Sequence, residues 1–182
     1  FPAAVDDALA VYGALAKAEE GPVVVSGDSA GGGLAVTTVS GAAARGLATP
    51  AALLCWSPWV DLAPGALDDP GRAADPVLTV EWLEQRAQDY LGDGDVAHPS
   101  ASPLRGDLAS LPPTLVMVGT RELLRPQAAD LAKGAASAGV AAELEELPGA
   151  IHLWMLWLPD APESRSAFER AGAFVRAAAG GG

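Results

Sequence analysis

Apolar residues recur along the chain at two spacings, and the alternation between them lays out a fold. Val5, Leu9 and Tyr12 stand at helical intervals and predict a first helix that ends before Gly21-Pro22. Val23 to Ser26 is a β-branched run and predicts a buried strand. Ala30 to Arg45 follows as a small-residue helix with Gly46 near its stop. Ala51 to Trp56 predicts the second strand. The stretch from Asp61 to Pro113 is rich in Pro, Gly and Asp and too long for a bare connection. It holds one helical pattern, with Thr79 at the N-cap and Leu83, Ala87, Tyr90 and Leu91 as its apolar stripe. Leu115 to Val118 predicts the third strand, Pro126 suits the first turn of the next helix, and Gly139 suits its end. Ala142 to Leu147 alternates as a fourth strand. Ser164 is expected to cap a last helix whose Phe168, Ala171 and Val175 share a face, and the Gly180-Gly181-Gly182 tail is expected to be disordered. Strands alternating with helices predict an α/β architecture on a parallel sheet.

The junction between the first strand and the second helix carries the chemistry. Val23 to Gly31 reads Val-Val-Val-Ser-Gly-Asp-Ser-Ala-Gly, which is strand, sharp turn, helix, with Ser29 at the apex. That setting pushes a serine side chain out at the sheet edge, where it can act as a nucleophile. Gly27 and Gly31 flank it and are expected to give room for a strained turn and for close approach of helix and substrate. A phosphate-cradling loop would need Lys and Ser/Thr after Gly32, where the chain has Gly33 and Leu34. A dinucleotide turn would need Gly at position 29, which is Ser29. The plain alternative is a tight strand–helix connection and nothing more.

A serine hydroxyl needs a base to take its proton and an acid to hold that base. On a strand–elbow–helix site the chain order is serine, acid, histidine. The chain has 2 histidines. His98 lies in a Gly/Asp/Pro/Ser loop before the next strand and reads as a solvated loop residue. His152 follows the last strand and the turn Pro148-Gly149, where a loop can bring an imidazole back over Ser29; its plain alternative is a half-buried histidine in an apolar run. Between them, the strand ending at Gly119 is followed by Thr120-Arg121-Glu122-Leu123-Leu124, and Glu122 is the only carboxylate in that turn. Asp130 comes later, inside a helical pattern, and Asp28 should point away from the elbow.

Composition sets bounds around this site. The 182 residues suit a single domain, and 50% hydrophobic residues suffice for a core. A net charge of −12 argues against nucleic acid and anionic membrane surfaces as partners. No apolar run approaches the roughly 20 residues of a membrane span. Cys55 stands alone in a buried-looking strand and reads as packing. The runs Asp68-Asp69-Pro70 and Gly92-Asp93-Gly94-Asp95 lack calcium-loop spacing and read as solvated loops. Trp56 and Trp59 read either as core or as walls of a substrate pocket formed with the 61–113 stretch. No secretion signal is visible, and a cytoplasmic location is the expectation.

Several motifs in one order resemble the hormone-sensitive-lipase-like branch (bacterial family IV) of the α/β-hydrolase esterases. They are Gly27-Asp28-Ser29-Ala30-Gly31-Gly32, Trp56-Ser57-Pro58-Trp59-Val60-Asp61-Leu62, Asp75-Pro76-Val77-Leu78-Thr79, Ala101-Ser102-Pro103-Leu104 and Leu111-Pro112-Pro113-Thr114-Leu115. The opening Phe1 to Ala8 is similar to the segment that starts the helix before the elbow. The resemblance implies an α/β-hydrolase fold, with residues 1–182 forming the C-terminal part of its mostly parallel sheet. It implies Ser29 as nucleophile, His152 as base, and Glu122 where the family usually has Asp. It further implies the Ala30 N–H as an oxyanion donor, no metal or organic cofactor, and short- or medium-chain esters or lactones as substrates. The family's upstream His-Gly-Gly-Gly-type loop has no counterpart here, so the chain reads as part of a larger hydrolase, weak or inactive by itself, with an apolar sheet edge that favours homo-oligomers. A peptidase or thioesterase on the same fold, and an inactive or purely ligand-binding relative, are the alternatives.

Overall fold

A computed structural model describes residues 1–18, 21–67 and 75–180. Helix α1 (Ala3–Ala18) leads to strand β1 (Val24–Asp28), helix α2 (Ala30–Ala44) and strand β2 (Ala52–Trp56). Helix α3 (Val80–Leu91) and a 3-10 turn (Pro103–Arg105) lie in the 61–113 stretch. Strand β3 (Thr114–Gly119), helix α4 (Arg125–Ser137), strand β4 (Ala142–Leu147), a short helix α5 (Trp154–Trp157) and helix α6 (Pro162–Ala178) complete the chain. The strands form a four-stranded sheet in the order β1-β2-β3-β4, and every pairing is parallel.

The central strands are buried on both faces, which is why they read as continuous apolar runs. Alternate residues serve opposite layers. Leu53, Cys55, Val116 and Val118 pack under α2 and α4 with Val36, Val39 and Leu131. Ala52, Leu54, Leu115 and Met117 pack against α5 and α6 with Trp154, Met155 and Phe174. Val5, Leu9 and Tyr12 of α1 close on Ala42 of α2 at the expected spacing. The N-cap at Thr79 also holds, since its hydroxyl accepts from the Trp82 N–H at 3.2 Å.

The two edges of the sheet differ. On β4 the acidic side chains are paired: Arg125 reaches Glu146 at 2.6 Å, and Arg170 binds Glu143 and Glu145. On β1 the edge is apolar, with Val24 and Val25 half-buried.

The last helix departs from expectation. It begins at Pro162, whose fixed φ suits a first turn, so Ser164 lies inside it and is not its cap. Ser164, Ala167, Ala171 and Phe174 form the buried face, one step around from the expected one, and Phe168 is 46% exposed beside Trp56. Gly180 closes the helix with φ +73, while Gly181 and Gly182 lie outside the described residues, as do Asp68, Asp69 and Pro70.

Candidate active site

Three loops at the C-terminal ends of parallel strands meet at one rim, the usual ligand edge of such a sheet. The first is the turn after β1. Ser29 takes φ +52 and ψ −121, a region that a non-glycine residue occupies at a cost of about 1–3 kcal/mol. Its surroundings over-determine that geometry. The Ser29 N–H donates to the Trp56 carbonyl at 2.9 Å, and the Ser29 carbonyl accepts from Gly32, Gly33 and Trp59 N–H groups at 3.0, 3.3 and 2.8 Å. A Cβ on Gly27 would lie 2.1 Å from the Gly31 carbonyl oxygen, and a Cβ on Gly33 would lie 2.1 Å from the Trp59 carbonyl oxygen. A Cβ on Gly31, by contrast, would meet nothing within 4 Å. The close approaches are therefore made at Gly27, Gly32 and Gly33, whereas the expectation had been Gly27 and Gly31.

The second loop follows β3. The Glu122 carboxylate turns back on its own strand and accepts the Gly119 N–H at 2.5 Å on Oε1. The same oxygen accepts the Ser57 hydroxyl at 2.8 Å. The third loop follows β4 and carries His152. It is stitched to the second: Thr120 N–H donates to the Leu147 carbonyl at 3.0 Å, Arg121 N–H to the Ala150 carbonyl at 3.1 Å, and Gly149 N–H to the Thr120 hydroxyl at 2.8 Å. Leu153 adopts φ +51, and the Trp157 indole N–H holds the His152 carbonyl at 3.0 Å.

These loops bring Ser29, His152 and Glu122 into one hydrogen-bonded chain. His152 Nδ1 lies 2.8 Å from Glu122 Oε2, and His152 Nε2 lies 3.0 Å from Ser29 Oγ. Glu122 and His152 are buried, while Ser29 is partly open. An ionised carboxylate only accepts hydrogen bonds, so Nδ1 carries the imidazole proton and Nε2 is left to accept the Ser29 hydroxyl. Ala30 starts α2 directly beside Ser29, and the first N–H groups of a helix have no partner within it. His98 stays apart, exposed, accepting the Ser100 N–H on Nδ1 at 3.1 Å. Asp28 is exposed, and Asp130 lies on α4.

A cavity of about 400 Å³ opens beside Ser29. Ala30, Gly33, Leu34 and Thr37 of α2 form its floor, and Trp82, Leu83, Arg86, Ala87 and Tyr90 of α3 form the facing wall. Trp59 lines it; Trp56 does not, being packed against Phe168 on the other face of the sheet. Among the described residues no cluster of His, Cys, Asp and Glu is arranged to hold a metal ion.

Supporting residues escaped the sequence. Gln127 accepts the Val60 and Asp61 N–H groups at 3.1 and 2.9 Å and donates to the Asp61 carbonyl at 3.0 Å. Arg105 forks onto the Asp61 carboxylate, and that bond raises the Arg105 pKa above its ordinary value. Asp75 accepts the Leu123 N–H at 2.8 Å and so ties the 61–113 stretch to the Glu122 loop. Ser57 and Asp75 stand inside motifs noted in the sequence, but their bonding partners cannot be read there, and nothing in the pattern marks Gln127.

A family profile for the alpha/beta hydrolase fold matches residues 1–156. An acetyl-hydrolase of Streptomyces hygroscopicus is 44% identical over 185 residues, covering 100% of this chain and 62% of that protein. The carboxylesterase/phospholipase LipF of Mycobacterium tuberculosis is 35% identical over 168 residues, covering 85% of this chain and 43% of that protein. Among solved structures, EstE5 superposes with a TM-score of 0.91 at 37% identity, covering 98% of this chain and 61% of that one. An esterase from the bacterial hormone-sensitive lipase family superposes with a TM-score of 0.87 at 38% identity, covering 94% and 59%. The chain spans less than two thirds of the length of each of these proteins.

Proposed function

The chain belongs to the alpha/beta hydrolase fold family, and from that premise we propose that it is a carboxylic ester hydrolase of the hormone-sensitive-lipase type, working through Ser29, His152 and Glu122. The observation that carries the reading is the 3.0 and 2.8 Å chain from hydroxyl to imidazole to carboxylate, opening on an apolar cavity. Names of relatives and neighbours, acetyl-hydrolase and esterase among them, support the same chemistry.

In this mechanism His152 Nε2 takes the Ser29 proton as Oγ attacks the ester carbonyl. The carbon becomes tetrahedral and its oxygen takes the negative charge. The Ala30 N–H, at the positive end of α2, donates to that oxyanion; one such donor is worth about 3 kcal/mol. His152 then passes its proton to the leaving alcohol, and an acyl-Ser29 ester remains. Water, deprotonated by the same imidazole, hydrolyses the acyl group and restores the hydroxyl. Glu122 keeps the imidazole in the required tautomer and stabilises the imidazolium while it carries the extra proton. The cavity takes the apolar part of a short- or medium-chain ester, or of a lactone, against Leu34, Trp59 and Leu83.

The test is turnover on p-nitrophenyl esters set beside peptide anilides and acyl thioesters, with Ser29→Ala as control. Ester hydrolysis that outpaces both other classes and vanishes in Ser29→Ala is expected. Faster cleavage of anilides or thioesters moves the chain to another hydrolase class. Equal turnover by Ser29→Ala removes the reading.

A further inference from the structure

Ser57 directly follows β2, the strand next to the nucleophile's strand, and four features of its setting converge. It is fully buried. Its backbone takes φ +46 although it is not glycine and stands before Pro58, a position where the chain prefers extended geometry. Its N–H still donates to the Met117 carbonyl at 2.7 Å, so the strand ladder continues up to this residue and turns sharply there. Its hydroxyl donates to Glu122 Oε1 at 2.8 Å.

The residues that follow grip the other side of the site. Trp59 N–H donates to the Ser29 carbonyl at 2.8 Å, and a Cβ on Gly32 would sit 2.7 Å from Pro58. The short strap Ser57-Pro58-Trp59 thus touches the nucleophile's turn with one end and the acid with the other. Neither contact is local in sequence, and a strained backbone is retained at their junction.

We infer that Ser57 is a positioning residue for the reaction, acting through Glu122. This rests on the triad reading given above. A glutamate carboxylate hangs on one more rotatable bond than an aspartate's, so it needs an additional restraint to present one oxygen to the imidazole. Gly119 N–H and Ser57 O–H both bind Oε1, which leaves Oε2 free to face His152 Nδ1 at 2.8 Å. The Ser57 hydroxyl donates here, because an ionised carboxylate only accepts. Removing it frees the side chain to rotate, so that Oε2 no longer faces His152 Nδ1 in one fixed geometry.

The experiment compares the wild-type chain with Ser57→Ala and Ser57→Gly. Both variants lack the hydroxyl, while glycine also relaxes the left-handed backbone. Two readings are taken: the rate of fluorophosphonate labelling of Ser29, and kcat and KM separately on p-nitrophenyl esters. Both variants are expected to label about tenfold more slowly. In ester turnover kcat is expected to fall by about the same factor while KM stays within about twofold, because the lost bond orients the imidazole and does not touch the substrate. Should Ser57→Ala fail to fold, the glycine variant carries the comparison. Wild-type labelling rate and kcat in the folded glycine variant would overturn the inference and leave the triad standing, making Ser57 a folding residue only. A folded wild-type chain that never labels at Ser29 would remove the triad reading and this inference with it.

Discussion

The sheet-side rim that holds Ser29, Glu122 and His152, and the α3 wall that faces it, close the same cavity by different means. The rim is knit by backbone hydrogen bonds between loops, by strained residues at Ser29, Ser57 and Leu153, and by backbone-to-backbone approaches at Gly27 and Gly33. The α3 wall is attached through apolar side chains: Leu83 and Ala87 pack with Trp59, Leu78 and Leu123, and Asp75 adds a tie to the Leu123 N–H. Trp82 stands 52% exposed on it, with the Arg86 guanidinium 5.8 Å from its ring. Directional bonds fix atoms to fractions of an ångström, which proton transfer demands. Apolar packing tolerates changes of shape, which suits a surface that selects substrates.

The largest effect is expected where the rim cannot give. Gly33→Ala puts a methyl group 2.1 Å from the Trp59 carbonyl oxygen, backbone against helix. It should cost about 4 kcal/mol in urea unfolding and abolish turnover. Gly31→Ala is the control within the same motif, since its Cβ would meet open space; in a helix it should be neutral or gain up to about 1 kcal/mol. Equal stability of the two variants would break the account of a rigid rim.

Next comes the opposite wall. Leu83 is 1% exposed, and Leu83→Ala should cost about 2–4 kcal/mol. Reactivity of Ser29 toward a small fluorophosphonate should stay within about twofold, while the preference between long and short acyl esters changes. Loss of labelling in a folded Leu83→Ala chain would show that the two walls are not separable.

A smaller effect concerns the sheet beneath the rim. Burial raises the Cys55 pKa from 9.0 to about 12. A thiol held neutral in the folded chain ionises first in the unfolded one, so its contribution to stability is intact below pH 9.0 and is lost as pH rises toward about 12. Urea midpoints of wild type and Cys55→Ala should therefore converge with rising alkaline pH. Parallel lines would mean that the thiol is not in a dry site. The smallest effect is expected at Trp82→Ala: stability within about 0.5 kcal/mol and a change confined to KM for the longer esters.

The residues of the proposed triad were legible as candidates because such chemistry demands particular residue types in a particular order on strand-end loops. Gly27-Asp28-Ser29-Ala30-Gly31, the single carboxylate Glu122 after β3 and the late His152 each satisfied a condition that few residues could. The helices α1, α2 and α3 were legible from spacing and caps, with Thr79 as the sharpest case. What stayed hidden works through backbone groups distant in sequence. Ser57 and Asp75 stand in recognisable motifs and Gln127 in none, but the partners of all three emerge only when the strands bring them within reach. The α6 face was misjudged by one position because Phe168 and Phe174 are equally apolar on paper. In the fold Phe174 joins the cluster that holds Trp154, while Phe168 rests beside Trp56 and stays half out. The elbow glycines were misjudged in the same way, since distance to a neighbouring carbonyl cannot be read from Gly-x-Ser-x-Gly.

The reactivity of Ser29 as a function of His152 and Glu122 bears most directly on the whole. The measurement is the second-order rate of fluorophosphonate attachment, with the adduct located by peptide mass, for wild type, His152→Ala and Glu122→Gln. The adduct should form on Ser29 in the wild type and slow by at least about a hundredfold in both variants. Equal rates in all three folded chains, or an adduct on another residue, would contradict the account.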